Sequence, residues 1–249
     1  MNVAQIVLNN LVFDKEHQAG ENQLTMLKKA LEFNISQVEL RREYFFDIEN
    51  EIKDIKNFTN THGIKLFYSV PDELFINGEL NTKLDMYFAE AQAMGVSVIK
   101  FNIGEFDDIR AKQLEKLAMY SKILDQMNIE NNQIKSMGSI SAIQKFMEIM
   151  VEHDLAIGYV YDMGNWRYVG ENEMKAAQAL RQYVKYIHVK DGLGFASDSK
   201  TVPLGQGEID WPAILAILPK MLPVALEYPV NSDLEIIDGI ERLKAEGLT

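Results

Sequence analysis

The sequence contains no cysteine and only 6 prolines in 249 residues. The absence of cysteine excludes disulfide bonds, thiolate metal sites and cysteine nucleophiles, and it is typical of a reducing compartment. No apolar run approaches the roughly 20 residues that a membrane-spanning helix requires. The first residues also lack the basic region and long apolar stretch of a secretory signal. We therefore expect a soluble, cytoplasmic protein with no membrane partner.

Positive charge is scarce as well. The chain has 25 Lys and Arg residues against 37 Asp and Glu residues, a formal net charge of -12. Such a surface repels phosphate backbones, so we expect no nucleic-acid partner. The acidic residues are spread along the chain rather than gathered in a tail, which is typical of a solvated surface. No glycine-rich phosphate loop follows the first predicted strand, which argues against a dinucleotide-binding fold.

Short β-rich runs alternate with helical patterns from one end of the chain to the other. The predicted strands are residues 3–8, 37–40, 65–70, 97–101, 128–130, 157–161, 186–189 and 224–227. Eight strands over this length leave roughly 31 residues a unit, enough for one strand, one helix and two loops. No linker-like segment interrupts the pattern. The sequence therefore predicts one α/β domain over residues 1–249, a (β/α)8 TIM barrel with a parallel sheet and outer helices.

Apolar residues between the strands recur every three or four positions, as on one face of a helix. Two of these stripes are Leu84, Tyr87, Phe88 and Ala91, and Leu234, Ile237, Ile240 and Leu243. We predict that these faces pack on the barrel. An acidic cap and an early proline in Asp210-Trp211-Pro212 predict the start of another helix.

The last four predicted strands each end in a residue that can bind a metal. In such a barrel the active site lies at the carboxyl ends of the strands, and these positions hold Glu130, Asp162, His188 and Glu227. Three carboxylates buried together are prohibitive unless they are protonated or share a cation. One nitrogen with three oxygens suits Mn²⁺, Mg²⁺ or Co²⁺, and is less natural for Zn²⁺. We therefore predict one divalent metal on these four residues.

Five segments resemble a known family: residues 38–41 (VELR), 129–131 (IEN), 162–166 (DMGNW), 188–191 (HVKD) and 203–211 (PLGQGEIDW). They resemble the sugar phosphate isomerase/epimerase superfamily, the xylose isomerase-like barrels, and the resemblance covers essentially the whole chain. It implies a small carbohydrate substrate and one metal, commonly Mn²⁺, on the four residues above. It leaves open whether the protein is a homo-oligomer.

The resemblance also implies roles for the two glutamates. In the epimerases of this family, the residues that match Glu130 and Glu227 lie on opposite faces of the substrate and exchange its proton. The metal polarises a ketose carbonyl and a neighbouring hydroxyl, and one carboxylate removes the proton between them to give an enediolate. The implied function is a metal-dependent isomerase or epimerase of a sugar, a sugar phosphate or a sugar acid.

Two positions depart from the epimerase pattern where substrate is recognised. Asn165 replaces a histidine three residues after the aspartate of strand six, and Ser136 replaces an acid six residues after the glutamate of strand five. The identity of the sugar is therefore not transferable. The same metal and base would also suit a dehydratase of a keto-polyol, in which a hydroxyl group leaves. A non-catalytic carbohydrate-binding barrel is a third reading. The nuclease branch of the superfamily uses a histidine-rich trinuclear zinc site. This chain does not match it, because only His188 of its 4 histidines ends a predicted strand.

Other polar and aromatic residues at the strand ends are predicted substrate contacts: Glu39, Arg41, Tyr68, Lys100, Asn132, Asn165, Trp166 and Lys190. Lys100 and Lys190 either bind substrate or pair with the acids of the metal site. Trp166 either stacks on a sugar or packs between strand six and its helix. Arg42 is expected to point to the outside of the barrel because successive side chains of a strand alternate. Surface or capping positions are predicted for His17, His62 and His153.

Overall fold

A computed structural model of the chain describes residues 5–249 and contains a closed barrel of eight parallel strands. The barrel strands are β1 (Ile6–Asn9), β2 (Gln37–Arg41), β3 (Lys65–Ile76), β4 (Val98–Gly104), β5 (Gln126–Glu130), β6 (Ile157–Asp162), β7 (Val184–Val189) and β8 (Val224–Leu226). Each strand pairs with the next, and β1 pairs with β8 to close the sheet. The predicted fold and all eight strands are confirmed, although residues 3 and 4 of the first predicted strand lie outside the described residues.

Helices cover the outside of the barrel between the strands. The eight longer ones are α1 (Gln23–Glu32), α2 (Ile48–His62), α3 (Leu84–Met94), α4 (Ala111–Tyr120), α5 (Ile140–Glu152), α6 (Glu173–Leu180), α7 (Trp211–Ile217) and α8 (Asp233–Ala245). Short helical turns are Asn10–Phe13, Asp14–Gln18, Arg42–Tyr44, Lys135–Gly138, Asn165–Tyr168, Arg181–Tyr183 and Ala196–Asp198. None of the described helices is long and apolar enough to cross a membrane.

Two short hairpins stand on the rim that carries the strand ends. The long strand β3 continues beyond the barrel and pairs antiparallel with Glu79–Leu80. After β7, Asp191–Leu193 pairs antiparallel with Lys200–Val202. Asp191 anchors this second loop because its carboxylate accepts hydrogen bonds from the backbone N–H groups of Gly192, Gly205 and Ile209 at 2.8–3.0 Å. The segment that follows β7 is thereby fixed beside the strand ends.

Alternation along the strands divides the core into two parts. Inward-facing side chains fill the middle of the barrel, and they are Val7, Phe67, Val98, Val160, Tyr186 and Ala225. The outward-facing side chains form the larger cluster under the helices. Two residues further along these strands, on the same inward face, polar side chains replace the apolar ones, so the inner apolar layer forms the floor of a polar site.

Local sequence explains how individual helices begin. Asp210 caps α7 by accepting a hydrogen bond from the backbone N–H of Ala213, and Pro212 lies in the first turn, as predicted. Asp47 caps α2 in the same way. That helix ends at Gly63, whose φ of 66° lies in the left-handed region that favours glycine.

One predicted helix face is partly wrong. Leu234 and Ile237 of α8 are 74% and 43% exposed, whereas Ile236, Ile240 and Leu243 are buried. The cause lies at Gly239, where an added Cβ atom would be 2.2 Å from the hydroxyl oxygen of Tyr228. The helix therefore approaches the barrel through its glycine, which turns the first half of the predicted stripe to the surface.

Candidate metal centre

The four predicted metal ligands meet at the carboxyl ends of β5 to β8. Glu130 and Asp162 are the last residues of β5 and β6, His188 is paired with Asp162 across the β6–β7 register, and Glu227 directly follows β8. All four side chains are buried. Each offers one ligand atom, and these atoms lie within 4.8 Å of one another. Consecutive parallel strands thus bring together residues that are up to 97 positions apart in the sequence.

The atoms at the centre of this cluster fit a divalent metal. Oε1 of Glu130 is buried and accepts no hydrogen bond, and Nδ1 of His188 is likewise without a hydrogen-bond partner. Nδ1 of His188 lies 2.7 Å from Oε1 of Glu130 and 3.1 Å from Oε2 of Glu227, off the direction of a hydrogen bond. Buried polar atoms without hydrogen bonds are costly, and a shared cation would satisfy them. A donor set of three oxygens and one nitrogen is suitable for such an ion.

Three cationic side chains also reach the carboxylates. Nζ of Lys190 lies 2.6 Å from Oδ2 of Asp162 and 2.7 Å from Oε2 of Glu227. Lys100 forms an ion pair with Oε2 of Glu130, and Nη1 of Arg41 lies 3.0 Å from Oε1 of Glu227. Both lysines thus make the ion pairs foreseen as one of their two readings. These cations balance the charge of the carboxylates, so charge alone does not require a metal. The evidence for a metal is that the four ligand atoms lie close together.

The shared surroundings divide the acids into two kinds. Burial raises the pKa of Asp162 to about 7; Lys190 opposes the shift, and the neighbouring Glu227 and Glu130 add to it. Burial also acts to raise the pKa of Glu130, but Lys100 and His188 outweigh it and lower that pKa to about 2. Lys190 and His188 likewise hold the pKa of Glu227 well below its usual value in spite of burial. The two glutamates are therefore ionised at neutral pH, ready to accept a proton.

The opposite wall of the barrel supplies a fourth buried carboxylate. Oε2 of Glu39, on β2, accepts hydrogen bonds from Nδ2 of Asn9 at 2.7 Å and from the hydroxyl of Tyr186 at 2.9 Å. The same oxygen lies 2.8 Å from Nε2 of His188. Sequence reasoning missed Asn9 and Tyr186. Asn9 is a polar residue at the end of an apolar strand, and Tyr186 lies two residues before His188, on the same inward face of β7. The sequence pattern of each strand could therefore have indicated these residues.

Two asparagines, one after β5 and one after β6, hold Asp162 in place. Oδ1 of Asn131 accepts a hydrogen bond from the backbone N–H of Asp162, and its Nδ2 donates to the carbonyl oxygen of Asp162, both at 2.9 Å. Oδ1 of Asp162 in turn accepts from the backbone N–H groups of Gly164 and Asn165. Nδ2 of Asn165 donates to the carbonyl oxygen of Asn131 at 2.8 Å. The structure therefore gives Asn165 a role in the scaffold of the aspartate.

Several other predicted substrate contacts lie elsewhere. Tyr68 points outward, as the inward position of Phe67 beside it requires, and its hydroxyl donates to Oε2 of Glu90 on α3 at 2.8 Å. The prediction that Tyr68 binds substrate is wrong because one residue along a strand changes the face. Trp166 is fully buried against Tyr161, in keeping with the second of its two predicted roles, packing between strand six and its helix. Asn132 accepts from the backbone N–H of Ile134 and so shapes the loop after β5.

Arg42 and three of the histidines lie outside the cluster of candidate ligands. Arg42 points outward and forms a bidentate ion pair with Glu90 at 2.8 and 2.9 Å, as predicted. His62 and His153 lie at the surface, also as predicted. His17 is half-buried instead, and its ring stacks on Tyr44 with a centroid distance of 4.0 Å.

A cavity of about 660 Å³ opens on the same rim, beside the ends of β4 and β5. Ile103 and Gly104 form its β4 side, and Ser136 and Met137 form its β5 side. Ser136, one of the two positions that depart from the epimerase pattern, therefore faces open space. A second, smaller cavity lies at the opposite end of the barrel, beside the start of β8. None of the four candidate ligands lines either cavity.

Solved structures share this architecture at low sequence identity. The 3-keto-D-glucoside 4-epimerase YcjR of E. coli is 14% identical, with a TM-score of 0.66 over 98% of this chain and 99% of that chain. The probable 3-DHS dehydratase AsbF of Bacillus anthracis is 14% identical, with a TM-score of 0.69 over 96% and 98%. The IOLI protein, solved with a bound zinc atom, is 16% identical, with a TM-score of 0.65 over 98% and 96%. At these identities the likeness establishes the fold alone.

No curated protein matches the sequence. A family model does, and it aligns with residues 27–246, which include seven of the eight barrel strands and all four residues of the candidate metal centre. The model describes a xylose isomerase-like TIM barrel. With its closed parallel barrel and this match, the chain belongs to the xylose isomerase-like TIM barrels.

Proposed function

We propose that the protein is a metal-dependent isomerase or epimerase that moves a proton at a carbon next to the carbonyl group of a sugar, a sugar phosphate or a sugar acid. One observation carries the proposal. Oxygens of Glu130 and Glu227 lie 2.7 and 3.1 Å from Nδ1 of His188, and both carboxylates are ionised in a buried site. Two carboxylate bases thus meet at one candidate metal-binding atom.

The residues divide the work between holding an ion and moving a proton. Glu130, Asp162, His188 and Glu227 would hold the metal, for which we propose Mn²⁺ ahead of Mg²⁺, Co²⁺ or Zn²⁺. A bound metal supplies Lewis-acid polarisation of a carbonyl, which lowers the pKa of the neighbouring C–H group. One glutamate removes that proton from carbon, and a carboxylate on the other face returns one. Removal and return from opposite faces invert the carbon, which is an epimerisation.

Cationic side chains support the rest of the substrate. Lys100, Lys190 and Arg41 already contact the carboxylates, and their N–H groups are suited to hydroxyl or carboxylate oxygens once a ligand enters. We assign no membrane or nucleic-acid partner and place the protein in the cytoplasm, in keeping with the acidic charge and the lack of cysteine.

A dehydratase is the second candidate, and Lys190 is the observation that favours it. Its ammonium group contacts both Asp162 and Glu227 and so lies where it could protonate a departing hydroxyl group. In that case the proton would leave carbon in the same way, but water would be lost. A structural neighbour that is named as a probable dehydratase is consistent with this alternative.

Incubation of the Mn²⁺-loaded protein in D2O with a panel of ketoses, sugar phosphates and inososes tests the proposal. We expect one substrate to gain a single deuterium next to its carbonyl group, detected by proton NMR, with an isomeric sugar as product. The Glu90→Gln variant is the matched control, since it changes a buried carboxylate outside the barrel, and it should exchange like the wild type. Loss of water with a new enone absorbance would favour the dehydratase. Exchange with no member of the panel, together with no bound metal, would favour a carbohydrate-binding barrel.

A further inference from the structure

Glu39 reaches across the barrel to the histidine of the candidate metal centre. It belongs to β2, whereas the four candidate ligands lie at the ends of β5 to β8. Oε2 of Glu39 lies 2.8 Å from Nε2 of His188, the ring nitrogen on the far side from the other acids. The contact has the length of a hydrogen bond but departs from its direction, so in this structure it is an ion-pair contact.

Two further residues keep this carboxylate in position. The amide of Asn9 and the hydroxyl of Tyr186 both donate to the same oxygen, Oε2 of Glu39. The ring of Tyr186 also meets the ring of His188 edge to face, with a centroid distance of 4.7 Å and an angle of 86°. Tyr186 therefore contacts both members of the pair. These two hydrogen bonds hold the Glu39 carboxylate in contact with the imidazole of His188.

Burial argues against a substrate contact at this position. Glu39 is 1% exposed, and its Oε2 is already in contact with Asn9, Tyr186 and His188. A side chain buried in this way affects the site only through the residue that it contacts. The neighbour in question is a candidate metal ligand, and a ligating histidine commonly donates its other ring N–H to a carboxylate, which selects the tautomer and orients the ring.

We propose that Glu39 is a positioning residue for the metal, which holds a proton on Nε2 of His188 so that Nδ1 faces the ion as a free lone pair. This inference rests on the metal centre of the proposed function, and it replaces the expectation that Glu39 binds substrate. Asn9 and Tyr186 fix Glu39, Glu39 fixes His188, and His188 binds the metal.

The test is the affinity of the purified, chelator-treated protein for Mn²⁺, measured by isothermal titration calorimetry. We expect Glu39→Gln to weaken the binding of Mn²⁺ about 10- to 100-fold, the usual effect of losing such a partner. Glu90→Gln is the matched control. Glu90 is also buried and also accepts a hydrogen bond from a tyrosine hydroxyl, but it lies outside the barrel on α3. Its variant should bind Mn²⁺ within about twofold of the wild type, whatever its stability.

A second variant separates position from charge and serves if Glu39→Gln does not fold. Glu39→Asp keeps the charge but withdraws the carboxylate from Nε2 of His188, so we expect it also to weaken the binding of Mn²⁺. The inference is overturned if the wild type binds one Mn²⁺ and the folded Glu39 variants bind it within twofold. A wild type that binds no divalent metal would overturn the metal centre itself, and the two failures are thereby distinguished.

Discussion

Nζ of Lys190 lies 2.6 Å from Oδ2 of Asp162 and 2.7 Å from Oε2 of Glu227. An ammonium group therefore contacts two oxygens that a metal would share. The lysine and the ion have charges of the same sign, so they compete for the same carboxylates. Metal-free protein is stabilised by Lys190, and metal binding must displace or repel it.

Replacement of Lys190 by Met is expected to tighten the binding of a divalent metal by about tenfold or more, because a competing charge is removed. The same change should destabilise the metal-free protein by about 3–5 kcal/mol, since it leaves buried carboxylates without their partner. Calorimetric titration with Mn²⁺ and urea unfolding in EDTA measure the two effects. Lys185→Met, at an exposed position of β7, the strand that Lys190 directly follows, is the control. An unchanged or weaker affinity for Mn²⁺ in Lys190→Met would refute the competition.

The stability of the metal-free protein should depend on pH through Asp162. The pKa of Asp162 is raised from 3.8 to about 7 in the folded protein, so the native state retains a proton that the unfolded chain releases in this window. The free energy of unfolding is therefore expected to fall as the pH rises from about 4 to about 7. Glu130, with its pKa lowered to about 2, acts in the opposite direction only at more acidic pH.

Urea unfolding in EDTA at pH 4.5, 5.5 and 6.5 measures this dependence. Asp162→Asn removes the titrating group, so its free energy of unfolding should lose less over this range, by an amount on the order of a few kcal/mol. A wild-type slope that is retained in full by Asp162→Asn would show that another group titrates. Added Mn²⁺ should oppose the loss in the wild type, because a metal binds the ionised carboxylate.

Glu227→Gln is expected to lower turnover of the identified substrate by about 10²- to 10⁴-fold, the usual contribution of a general acid or base. Circular dichroism should show an intact fold. Glu43→Gln is a useful control, since Glu43 pairs with the same Arg41 but from a less buried position. Turnover above about a tenth of the wild-type rate in Glu227→Gln would exclude this carboxylate as the proton-transfer group.

Tyr68→Phe separates the outer network from the site. The substitution removes the hydrogen bond from Tyr68 to Glu90 and leaves a buried carboxylate with one donor fewer, so we expect a loss of stability of about 1–3 kcal/mol. KM and kcat for the substrate should stay within about twofold of the wild type, because the side chain faces α3. A several-fold rise in KM with unchanged stability would instead restore Tyr68 as a substrate contact.

Much of the architecture can be predicted from the sequence. Eight β-rich runs separated by helical stripes predict the barrel, because strand and helix periods differ and each segment must bury one face. The same reasoning finds Glu130, Asp162, His188 and Glu227, since each is a polar residue at the end of an apolar strand. Boundaries were less accurate, and β3 continues to Ile76 where the prediction ended at residue 70.

Side-chain direction marks the limit of that reasoning. Tyr68 and Ser69 both end the predicted third strand, and only the register of the sheet decides which of them faces inward. On α8, the approach of Gly239 to Tyr228 decides which of two overlapping apolar stripes is buried. Close packing at one glycine is a tertiary contact, and no periodicity reveals it.

The order of strands and helices and the four residues that could bind a metal can be predicted from the sequence, because both follow from local pattern and from the rule that strand ends form the site. How the negative charge of the buried carboxylates is balanced depends on the tertiary structure. Lys100 and Lys190 turn toward the acids, and Glu39 crosses from β2 to His188 on β7. The lysine contacts join neighbouring strands and the Glu39 contact spans the barrel, and all of them depend on side-chain directions that only the folded chain defines.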